Sequence, residues 1–260
     1  MTSDDGVRLT SIGGPTALLE LGGVRLLTDP TFDPAGEAYP TPVYTLHKNE
    51  GPALRPEALG RVDAVLLSHD HHFDNLDRAG RAWLPAAGRV LTTPAGAGRL
   101  GGRAMGLETW QSVEVAGADG RVVRVTATPA RHGPPGGDRG PVIGFVLEPT
   151  FDPSRTVYVS GDTVWYEGVA EVARRFRVRV AVLFMGAARV KEVGPAHLTF
   201  TAEEGVEAAR AFSGAVIVPL HCDGWAHYSE QRGVIEAAFA GAGLAHRLRF
   251  PTPGRPILLG

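Results

Sequence analysis

The chain has 260 residues, with 26 Lys and Arg against 28 Asp and Glu, so its net charge of -2 gives no electrostatic footprint for a nucleic-acid binder. That length can bury a sizeable core, in one large domain or two small ones. One cysteine against nine histidines excludes an intrachain disulfide framework and a Cys-based zinc cluster, so any metal here is held by His and carboxylates.

In chain order, residues 1–10 carry neither the basic start nor the apolar run of an export signal. No apolar stretch approaches the ~20 residues of a membrane span, so a cytoplasmic protein is expected. The runs 16–20 and 24–29 flank Gly22-Gly23, the pattern of a tight β-hairpin. A Pro-rich irregular stretch follows over 30–56, with Tyr39, Tyr44 and His47, and a loop this long is either a lid or a packed surface loop. Ala64-Val65-Leu66-Leu67 reads as a strand covered on both faces, and it stops at Ser68. Further strands are predicted at 89–93, 112–115, 121–128, 142–147, 156–160, 178–184, 215–219 and 247–250, and helices at 76–84, 94–100, 169–176, 202–212 and 230–239. Thr201 and Glu204 form a capping box for the fourth helix, each side chain satisfying a backbone amide near the other. Hairpins mixed with helices in both halves predict sheets covered by helices.

The strongest chemical signal is Ser68-His69-Asp70-His71-His72-Phe73-Asp74-Asn75-Leu76-Asp77, between a buried strand and a helix. His69 and His71, spaced i, i+2 in an extended turn, can aim at one ion, and the Asp74 carboxylate can reach a second nearby. Asp77 also suits the first turn of a helix, where the macrodipole favours a negative charge. Three later residues stand at strand ends: His132, Asp162 and His221. Each alone is an ordinary turn residue; together they complete a His and carboxylate site gathered from four loops.

This succession resembles the metallo-β-lactamase superfamily over essentially the whole chain. The stretches Ile12-Gly13-Gly14-Pro15-Thr16-Ala17-Leu18-Leu19-Glu20 and Leu27-Thr28-Asp29-Pro30 are most similar to the branch of ascorbate-6-phosphate lactonases and N-acyl phosphatidylethanolamine phospholipases D. The resemblance implies an α/β (α+β) fold, a four-layer αββα sandwich, as a single domain over 1–260. It implies that His69, His71 and His132 hold a first metal, that Asp162 bridges, and that His221 completes a second site. Asp29 would be a buried hydrogen-bond acceptor behind these ligands, or else a plain strand-end turn. The family pattern is His-x-His-x-Asp-His, and this chain departs from it: His72 and Phe73 separate His71 from the next Asp, and Asn75 stands where the pattern has His. With a one-residue insertion Asp74 aligns with the family Asp as ligand and catalytic group, and Asn75 falls at the second-metal histidine. Alternatively His72 supplies the missing imidazole. Both one and two ions per chain are compatible with this set.

The resemblance implies a divalent metal, Zn2+ first with Mn2+ or Fe2+ as alternatives, which brings water into the hydroxide range near neutral pH. Asp74 would orient that nucleophile and carry its proton. His197 resembles a family position where a His approaches substrate, and His227 lies in the loop after His221, so both are further catalytic candidates. The alternative for His227 is a helix N-terminal position before Ser229. The glycine-rich run 132–141 lacks the Gly-Lys-Ser/Thr ending of a phosphate loop, leaving Arg139 as either an anion contact or a solvated arginine. Cys222 reads as an inert buried thiol, Trp165 as cavity wall or core, and His47 and His246 as loop or surface residues. The expected function is metal-dependent hydrolysis of an ester-like bond, a lactone or phosphodiester, in a small molecule, with no nucleic-acid partner. An iron-dependent redox or oxygenase member and a non-catalytic metal-binding module are the alternatives. Homo-oligomerisation stays open.

Overall fold

The computed structural model describes residues 6–260, so the first five residues of the segment read above for an export signal lie outside the described residues. The strands are β1 (Val7–Gly13), β2 (Thr16–Leu21), β3 (Val24–Thr28), β4 (Ala38–Pro40), β5 (Thr45–His47), β6 (Ala64–Leu66), β7 (Val90–Thr92) and β8 (Ala104–Gly106). They continue with β9 (Ser112–Ala116), β10 (Val122–Pro129), β11 (Ile143–Pro149), β12 (Val157–Val159), β13 (Val180–Phe184), β14 (Val216–Leu220) and β15 (Pro256–Leu259). The α-helices are α1 (Arg78–Trp83), α2 (Pro94–Leu100), α3 (Glu167–Arg175), α4 (Ala202–Ala211) and α5 (Arg232–Gly241).

Two mixed sheets result. One runs β15-β1-β2-β3-β6-β7-β8, the other β14-β13-β12-β11-β10-β9, while β4 and β5 pair as a separate ribbon. The sequence dictates how they stack. Along β13 the alternate residues Val180, Val182 and Phe184 belong to the core between the sheets, while Ala181 and Leu183 face a second core under α3, α4 and α5. On the other sheet Ala64 and Leu66 point inward, whereas Val65 and Leu67 pack with Leu76 and Leu84 beneath the first helix. Continuous apolar runs are what a strand buried on both faces requires, because its side chains alternate between two apolar layers. The result is the αββα sandwich, and fully burying one Val, Leu or Phe contributes about 1.5–3 kcal/mol to it.

The Gly22-Gly23 hairpin forms, with both glycines at positive φ (55° and 87°), and the Thr201/Glu204 capping box is made in full. The hairpin belongs to a wider ribbon, because β1 pairs antiparallel with β2 on one side and with β15 on the other. The strand predicted at 247–250 does not form; Ala245–Arg247 is a turn of 3-10 helix, and Leu248 makes one isolated bridge to Ile217. The Arg247 guanidinium explains this. It donates to the carbonyls of Ala209, Phe212 and Ala215, so it closes the end of α4 in place of adding a strand. Among the described residues no helix is long and apolar enough to cross a membrane.

Strand direction places the chemistry. β3 and β6 are parallel, β12, β13 and β14 are parallel, and β10 shares the direction of β12 because both run antiparallel to β11. The carboxyl ends of β3, β6, β10, β12 and β14 therefore deliver Asp29, His69, His132, Asp162 and His221 to their following loops.

Candidate metal centre

Asp29 lies behind the site. Its Oδ1 accepts from the Ser68 amide (2.9 Å) and the Ser68 hydroxyl (2.8 Å), and burial pushes its carboxyl up to about 8 against those two donors. Because the Ser68 hydroxyl spends its hydrogen on Asp29, it can only accept from His69 Nδ1, 2.9 Å away. His69 therefore carries its proton on Nδ1 and turns a bare Nε2 into the site. His132 is fixed in the same sense, since its Nδ1 lies 2.8 Å from the Leu198 carbonyl, which has no hydrogen to give. Burial pushes His69 and His72 well below the usual imidazole range and His132 down to about 4, so these rings are neutral and available as donors to a metal.

Three imidazoles converge. His72 Nδ1 is 2.8 Å from His69 Nε2 and 3.2 Å from His132 Nε2. Asp162 Oδ2 stands 3.4 Å from His132 Nε2 and 4.0 Å from His69 Nε2, while its Oδ1 is 3.7 Å from His221 Nδ1. Neither Asp162 oxygen has a hydrogen-bond partner although the residue is fully buried, and its carboxyl is pushed well above the ordinary range by burial and by the charges of Asp74 and Asp29. The Asp162 position depends on Gly161, which has φ of 59°; a Cβ there would lie 2.7 Å from the Ile143 carbonyl and 2.8 Å from Ser68 Cβ. His221 is also left-handed, at φ 55°, a conformation that costs a non-glycine residue and recurs at functional sites.

The second half of the cluster centres on Asp74. Its Oδ2 lies 3.3 Å from His221 Nε2 and 3.0 Å from His227 Nε2; burial opposes its charge, but these two contacts prevail and hold the carboxyl well below the usual range. Asn75 is buried, with both amide atoms lacking a hydrogen bond of ordinary geometry. His71 is the outermost of the histidines: it is exposed and its Nε2 donates to the Arg139 carbonyl at 2.8 Å.

Three groups of potential ligand atoms each fall within 4.8 Å: His69, His71 and His72; His69, His132 and Asp162; and Asp74, Asp162 and His221. Ligands at a zinc bond length from a shared tetrahedral ion stand about 3.4 Å apart, close to the spacings above. Buried carboxylates with unpartnered oxygens among neutral imidazoles lack a positive charge, and a divalent cation supplies it. The residues present fit a metal.

A cavity of about 20 Å³ opens onto the cluster, bordered by His72, Asp74, His132 and His227 and walled by Leu46, Val190 and Leu198. Tyr44 and Arg139 stand at its rim. Sequence reasoning missed Tyr44 as a site residue, since a tyrosine in a Pro-rich loop carries no local signal of facing a cavity formed by distant segments. His197 does not line this cavity. Its Nε2 lies 3.3 Å from Glu204, which raises its pKa, and the next residue, Leu198, faces the site in its place. Trp165 packs into the core under α3 to α5, and Cys222 is a buried thiol whose pKa burial pushes upward.

The family model described as a β-lactamase superfamily domain matches residues 24–222, more than half of the chain. The chain belongs to the metallo-β-lactamase superfamily. A "UPF0173 metal-dependent hydrolase" of Myxococcus xanthus (strain DK1622) is 31% identical over 184 residues, 65% of this chain, and the match spans 57% of that relative's length. Among solved structures, a possible metal-dependent hydrolase from Veillonella parvula DSM 2008 superposes with a TM-score of 0.84 at 21% identity, covering 98% of this chain and 100% of its own. An isothiocyanate hydrolase from Delia radicum gut bacteria superposes with a TM-score of 0.81 at 22% identity, covering 97% and 99%. At that identity the two structures speak for the superfamily fold alone. The superfamily sandwich accounts for why loops from both sheets meet at one edge, and the departures from its histidine pattern lie in this chain's own loop after β6.

Proposed function

We propose that this superfamily member is a metal-dependent hydrolase acting on an ester-like bond of a small molecule, a lactone or a phosphodiester, in the cytoplasm. The observation that carries this is Asp162: a fully buried carboxylate, unpartnered at both oxygens, with ring nitrogens of His69, His132 and His221 within 4.0 Å. In this reading His69, His132, Asp162, His221 and Asp74 are ligands, together with the neighbouring imidazole of His71 or His72. Imidazole-rich donors suit zinc, and the carboxylates Asp74 and Asp162 also suit manganese or iron. A divalent ion there supplies Lewis acidity and acidifies water near neutral pH.

The chain's own groups do the rest. Ser68 and the Leu198 carbonyl lock the His69 and His132 tautomers, so both rings present lone pairs without rearrangement. Asp74, kept ionised by His221 and His227, borders the cavity, where its carboxylate can orient an attacking water and take its proton. Arg139 at the rim offers a fixed positive charge to a phosphate or to a carboxylate on a lactone, and the Tyr44 hydroxyl beside it is a hydrogen-bond donor. The apolar wall of Leu46, Val190 and Leu198 favours a compact substrate with an uncharged portion, in line with the near-neutral net charge.

Metal analysis of freshly purified protein, followed by assay of a lactone panel and bis(p-nitrophenyl) phosphate, tests this. His69→Ala is expected to lose most bound metal and most turnover. Metal content unchanged in that variant overturns the ligand assignment, and a metal-loaded wild type inert on both substrate types overturns the hydrolase reading. Visible absorbance from bound iron would favour redox chemistry in its place.

A further inference from the structure

The motif after β6 is one residue longer than the superfamily pattern and ends on Asn75 where that pattern has histidine, and the geometry points to where the imidazoles have gone. We propose that His72, not His71, joins His69 and His132 at the first ion, and that His227, from the loop after β14, supplies the second ion with the imidazole that Asn75 lacks. The proposal deepens the metal-hydrolase reading and rests on it.

Hydrogen counting supports the first half. His69 gives its ring hydrogen to Ser68 and His132 gives its own to the Leu198 carbonyl, so each aims a bare Nε2 at His72 Nδ1, at 2.8 Å and 3.2 Å. His72 Nδ1 carries at most one hydrogen and cannot satisfy both. A cation among the three nitrogens does. His71 is spoken for elsewhere: its ring is exposed, and its Nε2 donates to the backbone of Arg139. The inserted residue accounts for the exchange. The Asn75 and Leu76 amides both return to the His72 carbonyl, so the chain turns back at His72 and brings its ring edge-on to His69, 4.8 Å between centroids.

Asp74 carries the second half. One oxygen, Oδ2, faces two imidazole nitrogens, His221 Nε2 at 3.3 Å and His227 Nε2 at 3.0 Å. Asn75 is fully buried beside the Asp29 and Asp162 carboxylates, and neither of its amide atoms makes a hydrogen bond of ordinary geometry. His227 is held firmly enough to serve as a ligand. Its carbonyl accepts from the Arg189 amide at 2.9 Å, Tyr228 bridges to Ala188, and the Ser229 hydroxyl donates to the Ala187 carbonyl at 2.7 Å. The His227 Nδ1 is buried without a hydrogen-bond partner, so Nε2, 3.0 Å from Asp74 Oδ2, is the one ring nitrogen engaged at the cluster.

The test is metal stoichiometry after dialysis, read by mass spectrometry, with the visible spectrum of the cobalt-loaded protein as a second readout. Wild type is expected to hold two ions. His71→Ala and Asn75→Ala should keep both, whereas His72→Ala and His227→Ala should each lose one equivalent and change the cobalt spectrum. His72→Gln and His227→Gln, with far-UV circular dichroism matching wild type, separate ligand loss from misfolding. Loss of an equivalent in His71→Ala but not His72→Ala overturns the first half, and loss in Asn75→Ala but not His227→Ala overturns the second. A single-ion wild type that fails only in His72→Ala upholds the first half and overturns the second. A wild type that binds no ion overturns the metal reading as a whole, so the two failures are distinguishable.

Discussion

His197 and Leu198 are adjacent in the chain, yet one ring pairs with Glu204 while the other side chain walls the cavity. The pairing raises the His197 pKa because Glu204 stabilises the protonated ring, the hydrogen bond being the largest contribution. A raised folded value means the pairing supports the fold below the unfolded pKa of about 6.5, and that support fades as pH rises through the higher folded value. Proton NMR titration should therefore place His197 above 6.5, with a fall in Glu204→Gln, and His197→Asn should leave metal content unchanged. A His197 titration unmoved by Glu204→Gln would return the residue to the candidates for substrate contact. The contrast shows what the sequence could disclose at this scale. His69, Asp162 and His221 were legible because each ends an apolar strand run, and strand ends fix position. The outward turn of His71, the inward turn of His72 and the choice between His197 and Leu198 depend on side-chain direction in irregular backbone, which no local pattern encodes.

Elements follow the same division. Buried strands such as β13 and β14 announce themselves by unbroken apolar runs, and α4 by its capping box. The edge strand β15 did not, because its pairing partner is β1, almost the whole chain away. The 30–56 stretch is a packed cover whose β4–β5 ribbon is bolted down. Tyr39 stacks on Phe73 at 4.9 Å, and Lys48 Nζ lies 2.8 Å from Asp77 Oδ2, both groups almost fully buried. Asp77 also accepts from the amides of Phe32, Asp33 and Gly80, so one carboxylate ties this cover to the start of α1. Removing one partner of a buried pair leaves the other charge uncompensated, at about 3–5 kcal/mol. The three remaining amide donors put Lys48→Met near the lower end, about 3 kcal/mol in urea denaturation. Adding Asp77→Asn should recover little of it, because both Asp77 oxygens accept backbone amides and the Asn NH2 would face one of those donors. A Lys48→Met protein as stable as wild type would show that the cover is held by its aromatic packing alone.

At the scale of the whole molecule, the inter-sheet core draws on both sheets, with Leu9, Leu19 and Leu66 from one and Val125, Phe145 and Val182 from the other. The site does too: His69, His72 and Asp74 follow a strand of the first sheet, while His132, Asp162 and His221 follow strands of the second. Shared core and shared site should make the chain unfold in one cooperative transition, with circular dichroism and tryptophan fluorescence coincident, as for a single domain. A ligand that binds only the folded state at 1,000 times its Kd adds about 4 kcal/mol, so chelation should lower the melting temperature of that entire transition. The size of the drop should depend on pH. Without metal, Asp29 at about 8 and Asp162 with its raised value hold protons more tightly folded than unfolded, where carboxyls titrate near 4. On folding these two carboxyls take up protons between about pH 4 and pH 8, and their contribution to stability falls as pH rises through that window, while below about pH 6.5 the lowered imidazoles act in the opposite sense. Above about pH 6.5 the lowered imidazoles of His69, His132 and His221 are neutral when folded and increasingly neutral when unfolded, so their opposing contribution fades towards pH 8. Scanning calorimetry with and without chelator should accordingly show a larger loss at pH 8 than at pH 6.5. An equal loss at the two values would mean that the buried carboxylates find other counter-charges once the ion is gone, and a split transition would mean that the two sheets unfold as separate units.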